Sequence, residues 1–189
     1  MVTARPSRRM RDIGIVQAGA PILATPARPF DLPTERLATQ ECVEHLFAVM
    51  QRVAQVHAFA KGMGLAAPQT GKGRAAAVVQ PPGPGAEPIV LLNPRITAGS
   101  EQTDEQYEGC LSFFDVRGTV PRPLSITVES TDLDGRTAVT VYERGLARLV
   151  QHEVDHLAGK LYTSRMRTGA EPIPVEQYRQ TGRPWTYDT

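Results

Sequence analysis

Between residues 34 and 60 the apolar positions fall at Leu37, Cys42, Leu46, Val49, Val53, Val56 and Ala60, a spacing that lines one side of a helix. That pattern predicts the first long helix. Residues 61–71, Lys-Gly-Met-Gly-Leu-Ala-Ala-Pro-Gln-Thr-Gly, hold glycines and a proline that exclude a regular helix. They predict a loop and a short strand whose backbone passes close to something. Short β-rich runs follow at 75–79 and 89–92, separated by Pro-Pro-Gly-Pro-Gly at 81–85 and closed by Asn93-Pro94. Residues 124–130 and 137–142 alternate about Asp132-Leu133-Asp134-Gly135, which predicts a β-hairpin. A second helix is predicted from near Glu143, with Leu146, Leu149, Val150, Val154, Leu157 and Leu161 giving apolar coverage wide enough for burial in the middle of the molecule.

The ends show no such periodicity. The Arg-, Ala- and Pro-rich opening to about Phe30 reads as an extended arm, flexible over residues 1–11, with Gly-Ala-Pro-Ile-Leu at 19–23 as the first anchor. Residues 163–189 carry Pro172, Pro174 and Pro184 and read as an irregular surface tail. At 189 residues the chain suits one domain, and 41% hydrophobic with 22% charged residues suits a soluble globular protein. A net charge of +1 gives no global field to attract nucleic acid or an anionic membrane. With no signal-peptide pattern and no apolar run of membrane-spanning length, a cytoplasmic location is expected. Cys42 and Cys110 do not suggest a disulfide framework.

Chemistry enters with Gln151-His152-Glu153-Val154-Asp155-His156. His-Glu-x-x-His on a helix projects two imidazoles from one face, where they can bind one metal ion, with Glu153 within reach of its water. Catalytic centres of this kind use three protein ligands. A metzincin-like continuation runs through Gly159 but meets Tyr162 where the third histidine belongs, and no histidine lies downstream of His156. A glutamate ligand would have to be Glu171 or Glu176, in a proline-broken tail. The remaining strong ligand type is cysteine, and Cys110 lies upstream in Glu108-Gly109-Cys110-Leu111-Ser112.

Three segments in this order, Gly62-Met63-Gly64-Leu65-Ala66-Ala67-Pro68-Gln69, the Cys110 stretch and Gln151 to Leu157, resemble the signature motifs of peptide deformylases. The likeness covers roughly residues 12–162, taking in Asn93-Pro94 and Leu146-Ala147-Arg148. It implies an α+β fold with antiparallel β-sheets around a central helix bearing the metal histidines. It also implies one divalent metal, ferrous iron before zinc, nickel or cobalt, on Cys110, His152 and His156. The implied reaction is hydrolysis of the formyl group from N-formylmethionyl nascent peptides. In it Glu153 accepts and returns a proton, while the Gln69 amide and the Leu111 backbone N–H face the formyl oxygen. Gly62, Met63, Gly64, Arg117 and Leu149 are the expected substrate contacts. Phe114 stands where the family commonly has proline, so the rim beside the metal should differ. The tail lacks the basic helix that some deformylases use on ribosomes, so ribosome association is not indicated.

Each residue has an ordinary reading as well. Gln69 could cap a loop, Cys110 could be a small core residue, and Gly62 and Gly64 could be turn glycines. The function has rivals too: a metallopeptidase, a deformylase-like binding protein without turnover, and a hydrolase of a small N-formyl metabolite. Cys42, His45 and His57, placed on the first helix, are assigned no chemistry.

Overall fold

The chain enters the described residues, 5–59 and 61–181 of this computed structural model, through a seven-residue helix, α1 (Pro6–Asp12). Residues 6–12 are therefore helical rather than extended. Pro6 starts the turn where its missing N–H costs nothing. The Ser7 N–H and hydroxyl both donate to the Asp115 carboxylate, and Met10 is buried in the cluster that holds Leu111 and Phe114. Residues 1–4 of the expected arm lie outside the described residues.

A single-turn 3₁₀ helix (Pro21–Ala24) leads to α2 (Arg36–Val56), which buries Cys42, Leu46, Val49, Met50 and Val53 along one stripe. The predicted span ran to Ala60, which is outside the described residues; the helix ends where His57 takes an extended backbone. Strands β1 (Met63–Ala66), β2 (Ala76–Gln80) and β3 (Ile89–Leu92) form an antiparallel sheet in the order β1-β2-β3. Ala76 and Val78 of β2 pack with α2, whereas Ala77 and Val79 pack on the other side. Burial on both faces explains why this run looks continuously apolar rather than alternating.

Beyond β3, Asn93 adopts a left-handed backbone and ties distant chain together, exchanging two hydrogen bonds with the Phe30 backbone. Strand β4 (Arg95–Gly99) follows, then the long hairpin of β5 (Thr103–Cys110) and β6 (Phe113–Pro123), then the predicted hairpin as β7 (Ser125–Thr131) and β8 (Thr137–Glu143). A second sheet runs β4-β7-β8 and a third β5-β6-β9, the last strand being Ile173–Pro174. All pairings in the three sheets are antiparallel.

Helix α3 (Arg144–Leu157) lies among these sheets, its Ala147, Val150 and Leu157 in one cluster with Ala77, Val79, Ile126 and Val128. Leu161 was predicted within this helix but falls beyond it. Gly159 turns left-handed (φ +70°) and lies so close to the Ala24 and Thr25 backbone that a side chain there would collide. The chain then makes a 3₁₀ turn (Tyr162–Arg165), pairs β9 with β6, and forms α4 (Val175–Gln180). The tail is thus short elements fastened to the body, with 182–189 outside the described residues. No helix among the described residues is long and apolar enough to cross a membrane.

Candidate active site

Cys110 is the last residue of β5, just past a bulge in its pairing with β6. The β5–β6 turn is pinned from outside, because the Ala18 N–H donates to the Ser112 carbonyl at 2.7 Å. His152 and His156 stand one turn apart on α3. The three converge: the Cys110 thiol lies 3.1 Å from His156 Nε2, and one donor atom from each of Cys110, His152 and His156 fits within 4.8 Å of the others. All three are buried. Tyr162 stacks on His152 with ring centroids 6.1 Å apart, and Glu171 and Glu176 are exposed.

Behind the cluster is a network of buried charges. Glu108 accepts from Arg122 Nε and NH2 at 2.9 Å each, from Arg148 at 2.7 Å, and faces His152 Nδ1 at 3.0 Å. Asp155 receives Arg122 at 2.6 Å and Arg165 at 2.6 Å, while Arg148 also pairs with Asp104. The contact to Glu108 occupies one nitrogen of His152 and leaves Nε2 for a ligand, the arrangement that orients metal-binding imidazoles. Sequence reasoning quoted Glu108 and Asp155 only as motif letters and passed over Arg122. No local signal marked them, since Glu108 and Arg122 lie on strands and Asp155 lies across α3 from its Leu146, Val150 and Leu157.

Electrostatics follow from this geometry. Burial opposes ionisation of Cys110, yet His156 and His152 beside it hold the thiol well below its ordinary range. Burial likewise disfavours charge on His152, but Cys110 and Glu108 raise it well above the usual imidazole value. Glu108 overcomes its burial through Arg122 and His152 and stays well below the carboxylate range. Glu153 differs: burial pushes it up to about 7 against the pull of the two histidines. A carboxyl near neutrality can both accept and return a proton.

The backbone fits itself to that carboxyl. Gly64 of β1 lies against Glu153 so closely that even a methyl group would strike the carboxylate. Gln69 is oriented by accepting from the Ala66 N–H at 2.9 Å, and its amide points at Cys110 Sγ and the Ser112 hydroxyl. A cavity of about 170 Å³ is lined by Gly62, Met63, Gly64, Gln69, Cys110, Leu111, Arg117, Leu149, His152 and Glu153. The structure therefore brings every sequence-expected site residue to one cavity except His156, which sits behind it. Phe59 and Phe114 complete the wall, and His57 is a correction, since it caps α2 and packs edge-on against both rings. A larger groove of about 690 Å³ between α2 and the β7–β8 hairpin shares no residue with this site.

Glu153 Oε2 is buried beside this cluster without a protein partner. Together with a thiol and two imidazoles at ligand spacing, it fits a centre that takes one divalent ion and a water. A Cys-plus-two-His donor set suits Fe(II), Co, Ni or Zn.

The sequence model for polypeptide deformylase matches residues 13–171. This chain belongs to the polypeptide deformylase family. It is 41% identical over 160 residues to a peptide deformylase of Roseiflexus castenholzii, covering 77% of this chain and 82% of that one. It is 32% identical to peptide deformylase 2 of a Nostoc species, covering 88% and 92%. Among solved structures, peptide deformylase 1B of Arabidopsis thaliana superposes with a TM-score of 0.71 at 33% identity, covering 88% of this chain and 85% of that chain. A class I type b deformylase of Acinetobacter baumannii bound to Met-Ala-Ser gives 0.69 at 31% identity, covering 80% and 96%. Peptide deformylases are metal-dependent hydrolases acting on N-formyl peptides, and the α+β fold implied by the motifs is the one found.

Proposed function

We propose that this deformylase hydrolyses the formamide bond of N-formylmethionyl nascent peptides, releasing formate, with one divalent ion on Cys110, His152 and His156. The reading rests above all on one thiol and two imidazoles sharing a buried point beside the Glu153 carboxyl. When bound, the ion supplies an acidic water and a Lewis acid for the formyl carbonyl. Ferrous iron is the ion we assign, ahead of zinc, nickel or cobalt, and the cytoplasm is the compartment. Contact with the ribosome is not required by this reading.

The protein's own groups do the rest. Glu153 takes the water's proton and hands it to the leaving amine, a double duty suited to a carboxyl near neutrality. Charge developing on the formyl oxygen meets the Gln69 amide and the Leu111 N–H, donors held in place before the reaction starts. Gly62, Met63 and Gly64 run along the cavity as strand backbone that an extended peptide can pair with. Arg117 donates to the Phe114 and Val116 carbonyls and makes no carboxylate pair among the described residues, so its remaining N–H groups can meet peptide carbonyls. Leu149 offers apolar surface to the methionine.

The test is formate release from formyl-Met-Ala-Ser under anaerobic, iron-loaded conditions, beside cleavage of unformylated peptides. Formate release that disappears in Glu153→Ala while metal stays bound is the expected result. Cleavage of internal peptide bonds without formate release would overturn the proposal.

A further inference from the structure

A second cavity, of about 160 Å³, adjoins the first. It shares Gly62, Gly109, Arg117, Leu149 and His152 with the site already described and adds two aromatic walls, Tyr107 of β5 and Tyr178 of α4. Their ring centroids lie 5.2 Å apart. Tyr178 belongs to the tail that composition marks as irregular surface, yet the tail is tied down just before it. Ile173 and Pro174 pair with Arg117 and Val116 of β6, and Val175 is only 3% exposed. This rim is therefore a fixed wall.

The size and charge of the cavity narrow its occupant. It is smaller than the ~300–1,000 Å³ of pockets for drug-sized ligands, which leaves room for a single side chain. Its charged wall residues are Lys61, Glu108, Arg117 and Arg148. Glu108 and Arg148 are buried and bonded to each other at 2.7 Å, with further partners in Arg122 and Asp104, and demand no charge from a ligand, while Arg117 donates to the Phe114 and Val116 carbonyls. His152 borders both cavities, which puts this one beside the place that the formyl group takes in the reading above.

We propose that Tyr178 closes the pocket for the side chain of the formylated residue and sets the bulk it admits. This rests on the deformylase reading above. A neutral, unbranched side chain fits against Leu149 and ends at the Tyr107–Tyr178 pair; a bulkier aromatic one meets the Tyr178 ring. Tyr178 thus acts on specificity and takes no part in the chemistry.

The experiment compares wild type, Tyr178→Ala, Tyr178→Phe and Tyr178→Trp in two ways. Formate release is measured from formyl-Met, formyl-Phe and formyl-Ala versions of one tripeptide, and product peptides Met-Ala-Ser and Phe-Ala-Ser are titrated calorimetrically. In Tyr178→Ala the Phe/Met ratio of kcat/KM should rise about tenfold, chiefly through KM, and Phe-Ala-Ser should gain affinity relative to Met-Ala-Ser. Tyr178→Phe should keep the wild-type ratio, and Tyr178→Trp should shift preference toward formyl-Ala, so the idea stays testable even if the alanine variant fails to fold. Wild-type turnover with ratios unmoved in both Tyr178→Ala and Tyr178→Trp overturns the role of Tyr178 alone. A wild type that releases formate from no formyl peptide overturns the deformylase reading beneath it.

Discussion

Helices α2 and α3 pack on opposite faces of the same sheet, but they hold to it for different reasons. The buried stripe of α2 is almost wholly apolar, with Leu46 and Val53 fully enclosed. The buried face of α3 carries Arg148, Gln151, His152, Glu153, Asp155 and His156. Apolar contact stabilises whichever close arrangement excludes water, whereas each buried charge tolerates only the geometry that satisfies it. The α2 side therefore supplies adhesion and the α3 side supplies position. Glu108 connects the two requirements at the site, since the same carboxylate neutralises Arg122 and Arg148 and orients His152.

Substitutions on each side should separate these contributions. The largest effect is expected at Glu153, where Glu153→Gln should lower kcat by about 10²–10⁴-fold. Thermal unfolding should show little loss, because the carboxyl it replaces is buried with one oxygen unpartnered. A comparable fall in melting temperature would mean Glu153 is a structural residue.

Next is Glu108→Ala, which leaves Arg122 only Asp155 and Arg148 only Asp104 as carboxylate partners and should cost about 3–5 kcal/mol. Metal affinity should also drop about 10–100-fold through loss of the His152 contact. Chemical denaturation and metal titration read the two effects separately, and normal affinity in a destabilised variant would detach Glu108 from the site.

On the apolar side, Leu46→Ala should cost about 2–5 kcal/mol and leave metal affinity unchanged. Altered affinity there would show that position, too, depends on α2.

The smallest effect is expected at Glu35, a half-buried carboxylate held down to about 2 by the Arg74 hydrogen bond and the Asp31 backbone. A depressed carboxylate contributes stability above its unfolded value and loses it as pH falls through the folded one. Wild type should therefore exceed Glu35→Gln slightly at pH 6, and the gap should close toward pH 2 in thermal melts. A gap that ignores pH would assign it to packing.

The same contrast explains what could be read from the chain alone. Helix α2 was legible because its burial is written in hydrophobic period, and strand β3 and the β7–β8 hairpin because β-rich runs are bounded by turn residues. Strands β5 and β6 were not, since the inward positions near the end of β5 are Glu108 and Cys110, and their partners Arg122 and Arg148 lie far along the chain. Helix α1 was missed because an Arg-rich heptamer is held by one methionine and one serine. At the site, the ligand candidates and Gln69 were visible as motifs. The arginines and Asp155 that fix them were not, because a buried ion pair has no local signature. Tyr178 escaped for a similar reason, its position being set by two backbone pairings between the tail and β6.

The account depends on Cys110, His152 and His156 sharing one ion. X-ray absorption at the metal edge of anaerobically zinc-loaded protein tests this directly. A first shell of one sulfur at about 2.3 Å and two imidazole nitrogens at about 2.0–2.1 Å is predicted. A shell without sulfur, unchanged in Cys110→Ala, would contradict it.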